Sequence, residues 1–149
     1  MHRVDLFAPI IPFEGIGNIK LYSTLEDLEP LLSATNAKAN YIYDNVVRYD
    51  ISNDLLLFFH TENNKLFKIT TEKNYKGKLF NQIEIGMSED ELVKIDSSFQ
   101  YDDFEEVWIS PKGVFIEAEI KEPYATAVIR WISVFIPELE TEDFWKGEW

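Results

Sequence analysis

The sequence predicts an α+β fold made of two tandem units, each a helix followed by an antiparallel meander. The strands of both units can join in one curved antiparallel sheet with the helices on one face. Three observations lead there. Two helix starts carry strong capping signals. Apolar, β-branched and aromatic runs are separated by short turn clusters, the mark of antiparallel meanders. The order strand, capped helix, meander also occurs twice. The 149 residues fit one domain, 1–149. Within it lie pseudo-repeats at about 15–75 and 79–137 and an acidic tail at 138–149.

Residues 1–18 end in the glycine-rich Phe13-Glu14-Gly15-Ile16-Gly17-Asn18, and residues 19–22 alternate as a short strand. A helix follows over 23–32, with Thr24 as N-cap and acids in its first turn to suit the helix dipole. Pro30 lies beyond that turn and predicts a short or bent helix. Residues 33–40, small and polar, read as a linker. Residues 46–51, 55–60 and 66–71 read as three strands joined by the turns Ser52-Asn53-Asp54 and Glu62-Asn63-Asn64-Lys65. After a connection at 73–82, residues 83–85 read as a short strand. The next helix opens at Ser88, with Glu91 completing a capping box and Met87 and Leu92 placed as a hydrophobic staple. The second meander is expected at 106–109, 114–120 and 127–136, with turns at 110–113 and 121–124. Pro137 stops the last strand.

The two halves align without a gap from Ile19 to Leu28 over Ile83 to Leu92. Strand pattern, hydroxyl cap, acidic first turn and leucine all match. Further on, Ile51-Ser52-Asn53-Asp54-Leu55-Leu56 lies over Ile109-Ser110-Pro111-Lys112-Gly113-Val114. The phrase Ile85-Gly86-Met87-Ser88-Glu89-Asp90-Glu91-Leu92 resembles the helix-opening signature of a known superfamily. That superfamily contains the outer-membrane assembly lipoprotein BamE and the tandem-repeat β-lactamase inhibitor protein. The first half departs from the signature, with Tyr22-Ser23-Thr24 in place of Gly-Met-Ser, and the absent cysteine sets the chain apart from a lipoprotein. The resemblance implies a binding platform rather than an enzyme.

With 14 Lys+Arg against 27 Asp+Glu, the formal net charge is -13. Residues 1–75 carry 7 bases and 10 acids and residues 76–149 carry 7 bases and 17 acids, so the excess sits mainly in the second half. Nucleic-acid affinity comes largely from neutralising phosphates, so this chain would repel DNA, RNA and anionic lipid. An acidic surface attracts cationic partners instead. The absence of cysteine removes disulfides, thiolate nucleophiles and cysteine-based metal sites. The N-terminus places Asp5 and Pro9 where a signal peptide needs an apolar run, and no stretch approaches the roughly 20 apolar residues of a membrane span. A cytoplasmic location is expected. A small, acidic, single-domain chain without catalytic motifs also resembles the immunity proteins of bacterial toxin systems. That resemblance implies binding a basic toxin domain, often a nuclease, and masking its active site.

No catalytic motif emerges, so no enzyme, cofactor or metal is expected. His2 lies at the terminus and His60 at a strand end, with no His-x-x-x-His spacing. Gly15-Ile16-Gly17 lacks the third glycine of a dinucleotide fingerprint, and neither a phosphate loop nor Gly-x-Ser-x-Gly occurs. Asp102-Asp103-Phe104-Glu105-Glu106, the densest acidic cluster, does not match a calcium loop and reads as a solvated loop or a docking patch. Glu117 and Glu119 share one face of a strand by their period-two spacing. Trp108 and Trp131 lie on strands, while Trp145 and Trp149 lie in the acidic tail. Tryptophan beside carboxylates has the composition of an interface hot spot. The expected partner-binding set is Asp102, Asp103, Glu105, Glu106, Glu117, Glu119, Trp131 and Trp145, facing a basic protein. The alternatives are a small-ligand carrier, an accessory assembly domain, and an enzyme using acidic pocket residues.

Overall fold

A computed structural model describes residues 2–121 and 126–149. The connection expected at 121–124 lies, past Lys121, outside them. Three short strands, β1 (Ile10–Ile11), β2 (Gly15–Ile16) and β3 (Ile19–Lys20), make a small antiparallel sheet. Helix α1 (Leu25–Ala34) leads into the meander β4 (Lys38–Tyr43), β5 (Val46–Ile51), β6 (Leu55–His60) and β7 (Leu66–Thr71). Helix α2 (Glu89–Ile95) leads into β8 (Gln100–Asp102), β9 (Val107–Ser110), β10 (Val114–Lys121) and β11 (Thr126–Phe135). A 3-10 turn (Pro137–Glu140) and α3 (Asp143–Lys146) follow.

Both meanders belong to one open eight-stranded antiparallel sheet, ordered β4-β5-β6-β7-β11-β10-β9-β8. The last strands of the two units meet at its centre, through Thr70↔Ser133, Ile69↔Val134 and Lys68↔Phe135. The free edges are therefore β4 and β8.

The halves repeat one another's hydrogen bonds. The Tyr22 N–H donates to Leu66 O and the Leu66 N–H to Ser23 O; likewise Gly86 N–H donates to Ile129 O and Ile129 N–H to Met87 O. Thr24 bridges Lys65 as Ser88 bridges Val128. Tyr22 and Gly86 both take the left-handed backbone, at φ 72° and 93°. Gly86 adopts it without strain, whereas Tyr22 carries a Cβ there. A register shift between Phe58 and Phe59 in β6–β7 matches one between Glu117 and Ala118 in β10–β11. The pairing places Leu55, not Leu56, at the position of Val114, because Ile51↔Leu55 matches Ser110↔Val114. The second sequence alignment is thus displaced by one residue.

Paired residues in adjacent strands point to the same side of a sheet. On one side Val47, Ile51, Leu55, Leu57, Phe59, Ile69, Val114, Ile116, Ile132 and Val134 are all buried. They share one core cluster with Leu28, Leu31 and Leu32 of α1 and Leu92 of α2, so the helices cover this face. The Thr24 cap is a full box: its hydroxyl accepts from the Asp27 N–H while the Asp27 carboxylate accepts from the Thr24 N–H. At Ser88 only half of the expected box forms, the hydroxyl accepting from the Glu91 N–H. Met87 and Leu92 both reach the core cluster.

Several expectations are corrected. Helix α1 runs four residues past Pro30, held by the apolar stripe Leu28, Leu31 and Leu32 beneath it. The linker at 33–40 is split between the end of α1 and the edge strand β4, whose side chains are almost all exposed and show no apolar alternation. Residues 83–85 make a single bridge, Leu79↔Ile83, instead of a strand. Glu106 lies before β9 in a left-handed turn, φ 58°, and Asp102 ends a strand, β8.

Candidate functional site

The side of the sheet away from the helices carries a different row. Gln100, Ile109, Phe115, Ser133, Thr70, Leu56, Asp50 and Lys38 lie in register across all eight strands. Beside it run Phe135, Lys68, Phe58, Arg48 and Asn40, and on the other flank Glu117 faces Trp131. The alternate positions that feed the core on the first side thus place charges, hydroxyls and aromatics on the second.

At the centre, where the two units meet, the Thr70 and Ser133 hydroxyls lie 2.7 Å apart and are buried. Around them opens a groove of about 360 Å³ lined by Arg48, Asp50, Lys68, Glu72, Glu117 and Trp131. Arg48 grips Asp50 with two parallel bonds, Nε to Oδ1 at 2.6 Å and Nη2 to Oδ2 at 2.9 Å. The spacing of two along β5 puts both on this face, so the pair is fixed by the strand itself. Glu72 accepts from Arg130 Nη1 at 2.7 Å and from Trp131 Nε1 at 3.1 Å. The Arg130 guanidinium lies 4.6 Å over the Trp131 ring and reaches Glu119 at 3.7 Å. Lys68 sits 4.7 Å over the Phe58 ring. Burial holds its ammonium below the usual lysine range, while the charge of Glu117 acts the other way. Glu117 is exposed and has no ion-pair partner among the described residues.

A second recess, about 670 Å³, opens on the same side beside the free edge at β8. Phe13, Ile109 and Phe135 line it, with Gln100, Asp102 and Glu140 as polar members. Phe13 lies over Gly113, where a Cβ would come within 2.5–2.8 Å of its ring, and Phe135 stacks on Phe115 at 4.3 Å.

The eight sequence-selected residues do not form one patch. Glu117 and Trp131 are cross-strand neighbours in the central groove, and Glu119 joins them through Arg130. Asp102 belongs to the second recess, where one of its carboxylate oxygens accepts from the Phe104 and Glu105 N–H groups at 2.9 and 3.1 Å. Asp103, Glu105 and Glu106 lie exposed at the β8–β9 turn. Trp145 is apart from all of these. Its carbonyl accepts from Asn45 in the β4–β5 turn, at the opposite end of the sheet. The tail therefore packs on the first unit, although it follows the second in sequence. Apolar contact and hydrogen bonding decide its position. Phe144 is buried against Phe67 and His60, Trp149 stacks on Phe144, and the Tyr22 hydroxyl donates to Glu138 at 2.5 Å.

His60, expected at a boundary, is fully buried. Its Nδ1 accepts from the Glu62 N–H, and its Nε2 has no partner among the described residues. Arg48, Asp50, Lys68, Glu72 and Arg130 were not singled out from the sequence. The available signal was polar residues at alternate positions of otherwise apolar strands, Arg48 and Asp50 in β5 above all. Among the described residues no cluster of His, Asp or Glu is arranged to hold a metal ion, and no helix is long and apolar enough to cross a membrane. No family model, curated protein or solved structure matches the chain.

Proposed function

We propose that the chain is a non-catalytic binding protein that inhibits a basic protein partner by covering its active site, as an immunity protein covers a toxin nuclease. The observation that carries this reading is the asymmetry of the sheet. Its helix side is closed by the core, while its other side keeps Glu117 and Trp131 together on an uncovered face in a chain of net charge -13. A sheet face with an aromatic anchor and the unpaired Glu117 carboxylate suits a protein interface of roughly 800 Å² per side. The wider acid excess would steer a cationic partner to it.

The test uses purified basic nuclease domains encoded beside this chain. The wild-type protein should abolish nuclease activity at one-to-one stoichiometry. Glu117→Lys with Glu119→Lys should weaken inhibition at least about tenfold. Glu26→Lys with Glu29→Lys, on α1, should change it little. Stronger loss from the α1 pair would put the interface on the helix side, and no inhibition of any such domain would sink the reading. One observation favours a second reading, a carrier of a small anionic ligand: the desolvated Lys68 ammonium has no hydrogen-bond acceptor among the described residues. Calorimetric titration with small carboxylates, comparing Lys68→Met, separates the two.

A further inference from the structure

We propose that the recess beside β8 is an anchor pocket for one arginine side chain of the basic partner, which makes the reading above more specific and rests on it for the partner's charge. The pocket has the dimensions and the lining of a built site. Its volume of about 670 Å³ is within the few-hundred to thousand Å³ range of ligand clefts. Its wall is made of Phe13, Phe135 and Ile109, fixed in place by the edge-on contact of Phe13 with Phe135 and the stacking of Phe135 on Phe115. Gly113 leaves the room that the Phe13 ring fills. These side chains present apolar surface with no charge.

The polar members supply one sign of charge only. Asp102 and Glu140 line the pocket, from β8 and from the 3-10 turn, and no cation pairs with either among the described residues. The nearest lysine of the adjoining turn, Lys112, is committed elsewhere, to Asp96 at 2.9 Å and to the Phe80 ring. One Asp102 oxygen is held by the turn N–H groups, which fixes the carboxylate in position. Unpaired carboxylates over an aromatic wall match a guanidinium, which is planar, stacks on rings and presents five donors in a fork. An ammonium is a compact, strongly hydrated point charge and gains less from such a wall. A neutral or anionic side chain would desolvate the two carboxylates without supplying a cation to either.

The experiment titrates the full chain with the peptide acetyl-Gly-Arg-Gly-amide while following backbone amide shifts by NMR. The citrulline and lysine analogues serve as controls. Saturable shifts at Gln100, Asp102, Ile109 and Gly113 are expected, with the lysine peptide weaker and the citrulline peptide without effect. Asp102→Asn combined with Glu140→Gln keeps both side-chain shapes and should weaken arginine binding at least about tenfold, one charge-assisted bond's worth. Gln100→Trp, at an exposed position on the same face, keeps both carboxylates, fills the pocket and should abolish the shifts. Shifts spread evenly over the acidic surface, or unchanged affinity in both variants, would overturn the pocket. This readout needs no partner protein. A pocket that binds arginine in a chain that inhibits no nuclease leaves the inference standing and removes the proposed function. Inhibition that survives both variants does the reverse.

Discussion

Tyr75 has a role that its sequence position does not suggest. It is buried, and its hydroxyl donates to the Ala8 carbonyl at 2.6 Å, tying the N-terminal segment to the connection after β7. Burial raises its phenol well above the usual tyrosine range, and the charge of Asp5 adds to this. A group whose folded value is raised contributes stability below its unfolded value and loses it as pH climbs toward the folded one. Wild-type stability should therefore fall above about pH 10. Tyr75→Phe should flatten that alkaline limb, while costing about 1–2 kcal/mol at neutral pH because the Ala8 carbonyl is left unpaired. Urea unfolding at a series of pH values checks both statements. Tyr22, raised by burial and by Glu138, keeps part of the limb, and a limb left unchanged by Tyr75→Phe would assign it to such other groups.

At the scale of elements, α1 carries a conflict and its resolution. Pro30 is the sixth residue of a ten-residue helix, so the bond to the Glu26 carbonyl is missing. Three buried leucines and a reciprocal cap keep the helix continuous through that defect. Pro30→Ala restores the donor at an exposed position and should stabilise the protein by about 1–2 kcal/mol, less than the full proline penalty because the unfolded chain also gains freedom. Thr24→Ala should cost about 1 kcal/mol or more, and more than Ser88→Ala, since only the first box is reciprocal. Thermal unfolding of the three variants gives the order directly. Equal losses at Thr24 and Ser88 would show that the second half of the box adds nothing.

On the scale of the whole molecule, the seam between β7 and β11 makes the two units one sheet, and it is only three residue pairs long. The Thr70 and Ser133 hydroxyls meet at one end of these pairs, buried and facing the groove. Thr70→Val and Ser133→Ala each leave one hydroxyl buried without its partner, whereas the double substitution removes both. A coupling energy of about 1 kcal/mol is expected from the double-mutant cycle. Additive losses would mean that the hydroxyl pair adds nothing of its own to the seam. The same seam brings Lys68, from the first unit, near Glu117 and Trp131 from the second. The groove that supports the proposed function is therefore a property of the pairing and not of either unit.

Local physics wrote most of the elements into the sequence. The strands at 46–51, 55–60 and 66–71 lie where alternation and turn residues put them, and both helices start at their hydroxyl caps. The gapless match of residues 19–28 to 83–92 coincides with the repeated hydrogen bonds at Tyr22 and Gly86. Edge strands were illegible because they bury little: β4 is exposed along nearly its whole length, and β8 is three residues long. The grouping of charged residues was illegible for another reason. Period two says that Glu117 and Glu119 share a face, but it cannot say which strand lies beside them. Only the β7–β11 pairing sets Lys68, Glu72 and Thr70 against Trp131 and Glu117, and only tertiary packing carries Trp145 and the tail to the first unit. Helix caps, turns and alternation act within a few residues and can be read locally. Sheet order, the covering of one face and the meeting of distant carboxylates depend on which surfaces bury each other, a decision made by the whole chain at once.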